Sequence, residues 1–223
     1  MPKWIILSII LSTCTVGAKA ADRRCDNPLV NVAGGNPEMV ESVCEAVKTA
    51  ETLFQRCNVP PLQRPTEIRI VDQLAPGCVA QFHCGEDRIE VLEPSAMEER
   101  RNRDGVFGFL PTDVFFQSII VHELAHAVYD YEQCPFENCI VTNEYIAHAL
   151  QIMSLEPADQ LVIQKNSQTG HHVARDALNA TTLYLAPDLF VKNVWTHLSA
   201  QPDMCAHIAQ VTNGAVYFDR DRH

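Results

Sequence analysis

The chain has 223 residues, 47% of them hydrophobic, and a formal net charge of −11. That length supports one moderate domain, or one domain with a helical extension. The acidity argues against nucleic acid, and against an acidic membrane face, because phosphate contacts need a basic surface.

The first twenty residues read as an export signal rather than as part of the fold. Lys3 gives a positive start, residues 4–16 form an apolar stretch, and Ala18-Lys19-Ala20 is a small-x-small cleavage site. The stretch is too short for a comfortable membrane span. A lipid-anchored start at Cys14 is the weaker alternative, since Thr13 stands where Gly or Ala is usual. Cleavage after Ala20 leaves a single domain, 21–223, exported to a bacterial periplasm or secreted. Loss of Lys3 and Lys19 moves the net charge from −11 to −13. No second apolar run is long enough to span a bilayer.

Removal of Cys14 leaves Cys25, Cys44, Cys57, Cys78, Cys84, Cys134, Cys139 and Cys205, an even set that in an exported chain allows up to four disulfides. Cys44 and Cys57 share one predicted helix, too far apart to bridge. Cys78 and Cys84, if both lie in one extended strand, are about 20 Å apart. Cys134 and Cys139 flank a short turn and form the expected pair. A cysteine metal cluster is disfavoured because no CxxC spacing occurs.

Taken in order, 22–36 is a polar, glycine-containing lead-in. Pro37 stands at a first helical position, and Met39, Val40, Val43, Cys44, Val47, Ala50, Phe54 and Cys57 follow at helical spacing. This predicts a long amphipathic helix ending before Pro60-Pro61. Short strand-like runs at 67–71, 78–84 and 88–92 are separated by Ala-Pro-Gly and Gly-Glu-Asp turns, the second suggesting an antiparallel hairpin. The fold class is α+β, with a small twisted, mostly antiparallel sheet in the N-terminal half (21–111) and mostly helices after it (112–223). Residues 95–103 read as a charged surface helix. Residues 104–111 combine glycines with aromatics and form a core-anchored connector, or alternatively a lip over a site. Thr112 or Asp113 then caps the next helix.

That helix carries His122-Glu123-Leu124-Ala125-His126 inside a nearly all-apolar run, 114–128. A helix apolar on almost every side is buried, and burying two histidines and a glutamate costs several kcal/mol unless they are paired or bind a metal. Four residues apart, the imidazoles project within about 40° of each other, suited to one divalent metal such as zinc. Glu123 is turned by roughly 100°. It reaches a metal-held water rather than the metal, and a carboxylate there is placed to take the water's proton.

After a turn at 134–139, a helix is predicted over 142–155, stopped by Pro157. Further helices are expected at 160–165, 174–184, 188–199 and 204–211, with 168–172 a loop. Asn179-Ala180-Thr181 fits a glycosylation sequon, relevant only in a eukaryotic secretory route.

A catalytic zinc takes three protein ligands and leaves a fourth position to water. One solution needs Gly three residues after the second His and a ligand three further on, but Tyr129 and Glu132 stand there, and without the Gly that turn is not readily made. The other brings a Glu from a following helix, and Glu144 lies at the right place if the turn folds that helix back antiparallel. His148, Glu132 and Glu137 are rivals. Glu144, His148 and Gln151 also form a polar stripe, which ordinarily faces water.

His-Glu-x-x-His followed on a later helix by Asn143-Glu144 resembles the gluzincin metallopeptidases, over about 67–156. The resemblance implies a zincin-like fold, with the sheet packed on the His-Glu-x-x-His helix. It implies a zinc cofactor held by His122, His126 and Glu144, and Glu123 as base and proton shuttle. In thermolysin-like members an Asp four residues after the ligand Glu orients the first histidine. Here that position is His148, which would accept from His122 and polarise it less. A Tyr or His near the developing oxyanion is common in this clan. His171 and His172 come first, with Tyr184 and His197 behind them. The expected activity is hydrolysis of peptide bonds in a peptide or protein substrate, through a zinc-bound water activated by Glu123. The alternative is a catalytically inactive, zincin-like zinc-binding or protein-interaction module. The sequence is silent on substrate choice and oligomeric state.

Overall fold

The computed structural model describes residues 23–167 and 173–219. The expected export signal and the loop histidines His171 and His172 lie outside the described residues.

Strands β1 (Arg23–Arg24), β2 (Val30–Ala33), β3 (Thr66–Val71), β4 (Ala80–His83) and β5 (Arg88–Leu92) form one sheet in the order β1-β2-β3-β5-β4. β2, β3 and β5 run parallel, while β1 and β4 lie antiparallel at the two edges. The fold is α+β as expected, but the sheet is mixed rather than mostly antiparallel. Two pairings make it so: β3 and β5, both expected strands, pair parallel, and β2, which falls inside the stretch expected to be a lead-in, adds a second parallel pairing. Parallel neighbours need a crossover, and helix α1 (Pro37–Arg56) supplies it between β2 and β3. The Gly85-Glu86-Asp87 hairpin joins β4 to β5 as expected.

α1 opens where the sequence places it, with Pro37 in the first turn and the Asn36 side chain accepting from the Met39 N–H. Its apolar stripe (Val40, Val43, Val47, Ala50, Phe54) is buried. Gly34, at φ +81°, makes the turn from β2 into α1, and a Cβ there would run into the Ile70 carbonyl. The short α2 (Pro94–Arg100) follows the sheet. Between it and the next helix, the 104–111 segment has Val106 and Leu110 buried, with Phe107 packed on Phe115. It is anchored in the core at these positions.

Helix α3 (Thr112–Tyr129) carries the His-Glu-x-x-His motif and packs against α1, α2, β4, β5 and α4 (Ile140–Met153). Contact on so many sides explains why its sequence is apolar all round. Neither Thr112 nor Asp113 caps it; Pro111 occupies the cap position, and the Thr112 hydroxyl instead donates to Glu98. α4 begins two residues before the expected start and runs antiparallel to α3: His126 meets Asn143 near one end, and His122 meets Gln151 near the other. Helices α5 (Pro157–Ser167), α6 (Ala180–Leu185), α7 (Pro187–Ser199) and α8 (Met204–Thr212) complete the helical portion, α6, α7 and α8 packing against α4 and α5 against α7. The single helix expected at 174–184 is instead a 3-10 turn (Arg175–Ala177) followed by α6, whose N-cap Asn179 interrupts it. No described helix is long and apolar enough to cross a membrane.

Three disulfides staple the described chain: Cys25–Cys44, Cys57–Cys205 and the expected Cys134–Cys139. Cys78 and Cys84 are free thiols, so a fourth bridge does not form.

Candidate metal centre

His122, Glu123 and His126 sit in the last three turns of α3, held by core contacts on both sides. The turn closed by Cys134–Cys139 returns the chain along α3, so that Glu144, in the second turn of α4, faces the two histidines. His122 Nε2 and His126 Nε2 are 3.0 Å apart, and the Glu144 carboxylate oxygens lie 3.7 Å from the first and 3.8 Å from the second. The three ligand atoms all fall within 4.8 Å of one another, the one such cluster among the described residues. Glu132 and Glu137, the rival acids, are not part of it.

The side-chain amides beside each Nδ1 bear on which ring nitrogens are bare. His126 Nδ1 lies 2.8 Å from the Asn143 side-chain oxygen, and His122 Nδ1 lies 3.2 Å from that of Gln151. An amide oxygen only accepts, so with these oxygens facing the rings each Nδ1 donates and each Nε2 keeps a lone pair. Two bare nitrogens and a carboxylate therefore converge on one point. Lone pairs this close repel unless a cation lies among them. The donor set fits a metal ion.

The surroundings are dry on the helix side and open beyond. His122 and Glu123 are buried, whereas the Glu144 side chain keeps 26% of its exposure. Burial, reinforced by His148 and His126, holds His122 well below its ordinary pKa, against a smaller opposing effect of Gln151. Burial pushes the Glu123 carboxyl up to about 7; His126 opposes the shift, Glu144 adds to it, and a backbone hydrogen bond from Phe82 on β4 also opposes it. Glu123 thus has its proton affinity near neutrality, beside but not within the ligand set.

His148 stands close, its ring 4.5 Å from that of His122 and its Nε2 3.6 Å from Glu144, but outside the close ligand cluster. It does not accept from His122 as the sequence suggested; the Gln151 side-chain oxygen does, and His148 Nδ1 is directed at that same oxygen, 3.3 Å away. His197 turns away, its Nδ1 2.9 Å from the Tyr145 hydroxyl behind α4, and Tyr184 is 64% exposed on α6. Neither belongs to the ligand cluster.

The orienting roles of Asn143, Gln151 and Ser118 escape the sequence reading. Asn143 immediately precedes Glu144 and shares its turn, so its identity was a usable signal. Gln151 looked like the end of a water-facing stripe; it is instead fully buried against α3, which needs polar partners opposite its two imidazoles. A further unforeseen contact is Asp219, whose carboxylate accepts from the Val141 and Thr142 N–H groups at the start of α4.

No curated protein and no solved structure matches the chain. One family model does match, across residues 30–221. That span takes in β2, the whole of α3 and α4, the His122, His126 and Glu144 cluster with its hydrogen-bond partners, and Asp219. With so much of its length matched, the chain belongs to this family, described as a family of unknown function (DUF6639).

Proposed function

We propose that the chain is an exported, zinc-dependent metallopeptidase of gluzincin type, with a zincin-like core built from the sheet, α3 and α4. The observation that carries the reading is the convergence of His122 Nε2, His126 Nε2 and the Glu144 carboxylate next to a buried Glu123. The two nitrogens are 3.0 Å apart, and each lies 3.7 or 3.8 Å from a different Glu144 oxygen, near the roughly 3.3 Å expected between ligands of a tetrahedral zinc with bonds of about 2.0–2.1 Å. Three disulfides fit an oxidising compartment, periplasmic or extracellular.

When bound, zinc would supply Lewis acidity toward a peptide carbonyl and acidify a water. The chain supplies the rest. His122, His126 and Glu144 would hold the ion, and the partly exposed flank at Glu144 leaves an approach for substrate. Glu123, with its proton affinity near neutrality, accepts a proton from water and passes it to the leaving amine. β4 is an edge strand whose Phe82 backbone touches Glu123. An extended peptide adding to that free edge would therefore run past the base.

The test is zinc per chain after dialysis, followed by peptide-library cleavage with Glu123→Gln as control. About one tightly held zinc, cleavage by the parent and none by Glu123→Gln support the reading. Zinc held with no cleavage of any peptide would leave a binding module, and failure to hold zinc would remove the metal centre altogether.

A further inference from the structure

Gln151 sits two turns beyond Glu144 on α4 and is fully buried. Its side-chain oxygen lies 3.2 Å from His122 Nδ1 and 3.3 Å from His148 Nδ1, and its amide nitrogen donates to the Ser118 hydroxyl at 3.2 Å. The Ser118 proton is spent on the Phe115 carbonyl, 2.8 Å away. Each group in this series leaves the next one choice. Ser118, having donated, accepts from Gln151, so the amide nitrogen faces Ser118 and the oxygen faces the two imidazoles. That oxygen takes protons from both Nδ1 atoms, leaving both Nε2 atoms bare, one toward His126 and one toward Glu144. The reversed amide would demand Nε2–H on His122 and point a proton into the ligand cluster.

We infer that Gln151 is the positioning residue of the metal centre: one neutral oxygen, aimed by Ser118, fixes the ligand tautomer of His122 and holds His148 in the same tautomer beside Glu144. The inference rests on the metal-centre reading above and deepens it. His126 is held in the same manner by Asn143, so both ligand histidines lean on neutral amides. Such acceptors orient an imidazole without adding charge, whereas a carboxylate also makes it a stronger donor to the metal. A buried glutamine is therefore not interchangeable with glutamate here, although both can accept from His122.

The experiment uses the full chain and three variants, Gln151→Met, Gln151→Glu and Ser118→Ala. Zinc affinity is read by competition with a chromophoric chelator, the ligand field by the visible spectrum of the cobalt(II)-loaded protein, and stability by thermal unfolding of the metal-free protein. Gln151→Met keeps the volume but offers no amide acceptor, and is expected to bind zinc about 10- to 100-fold more weakly with an altered cobalt spectrum. Gln151→Glu, which keeps an acceptor for His122, is expected to bind zinc more tightly than Gln151→Met. Ser118→Ala releases the amide nitrogen and is expected to weaken zinc several-fold; it serves in place of Gln151→Met if that variant does not fold. Parent-like affinity and spectrum in Gln151→Met, or in Ser118→Ala when it stands in, overturn the inference while the metal centre survives. Lower metal-free stability with unchanged affinity also overturns it, by making Gln151 a packing residue. A parent chain that binds no zinc removes both readings.

Discussion

Asp219 offers the sharpest test of how the ligand helix is held. α4 starts at Ile140, and its cap position is Cys139, which is engaged in a disulfide and makes no side-chain cap. The N–H groups of Val141 and Thr142 would be orphaned there; both go to Asp219, at 3.0 and 2.9 Å, in a buried setting. Asp219→Ala strands two buried donors at the positive end of the helix. A helix cap alone is worth about 0.5–2 kcal/mol, and hydrogen bonds to a charged partner about 1.5–3 kcal/mol each. Because both bonds share one carboxylate they do not simply add, and a loss of about 2–4 kcal/mol follows. For a domain of this size each kcal/mol shifts Tm by roughly 2–4 °C, so a drop on the order of 10 °C is expected in thermal unfolding followed by circular dichroism. Asp219→Asn, which keeps one acceptor oxygen, is expected to fall between. Zinc affinity should weaken as well, because Asn143 and Glu144 follow directly in the same stretch of helix. An Asp219→Ala protein melting within 1–2 °C of the parent would refute the reasoning, since the two N–H groups would then be satisfied without it.

The remaining expectations concern the ligands, the proton balance and the staples. Glu144→Ala should lose zinc at micromolar metal while the metal-free protein stays folded; unaltered affinity would assign the third ligand elsewhere. In the metal-free chain, Glu123 holds its proton up to about pH 7, whereas unfolding returns it to an ordinary carboxyl near 4.5. The folded state thus binds more protons across that window, and this group's contribution to stability declines as pH rises through it. Glu123→Gln does not titrate, so its stability relative to the parent should rise between pH 4.5 and 7 by up to about 3 kcal/mol, at about 1.4 kcal/mol per pKa unit; a difference that is flat with pH in denaturant titrations refutes this. Replacing Cys57 and Cys205 by serine opens a 148-residue loop and should cost about 2–5 kcal/mol, read as a lower urea midpoint. The same change at Cys134 and Cys139, whose loop is only five residues, should cost less.

What could be read in advance follows the range of the interactions. His122, Glu123 and His126 stand within five residues on one helix, so their spacing alone brings them together, and Glu144 needs only one short turn more. The α1 stripe and the β4–β5 hairpin are equally local. β2 was hidden because four residues, Val30–Ala33, carry little pattern until β3 pairs with them across the α1 crossover. Gln151 belonged to a helix face whose direction depends on what lies opposite; with α3 presenting imidazoles, the polar stripe turns inward. The 174–184 helix failed at Asn179, whose side chain takes the Thr182 N–H and so starts a new helix rather than continuing the old one. Asp219 is far beyond any local pattern, reaching Val141 from 78 residues away.

The neighbours of Asp219 give that reach a further meaning. Phe218 donates its N–H to the Thr142 hydroxyl and stacks on Tyr145, and Tyr217 packs its ring against Phe136 in the disulfide-closed turn. Three successive residues thus lie across the turn and the start of α4 like a clasp. A fragment comprising α3, the turn and α4 would own every ligand, yet not fold into a miniature of the centre, because its second helix would begin uncapped and its turn uncovered. On a chain made from its N-terminus, the ligands exist long before the clasp does. Until residues 217–219 are made and docked, the start of α4 lacks the carboxylate that takes its Val141 and Thr142 N–H groups.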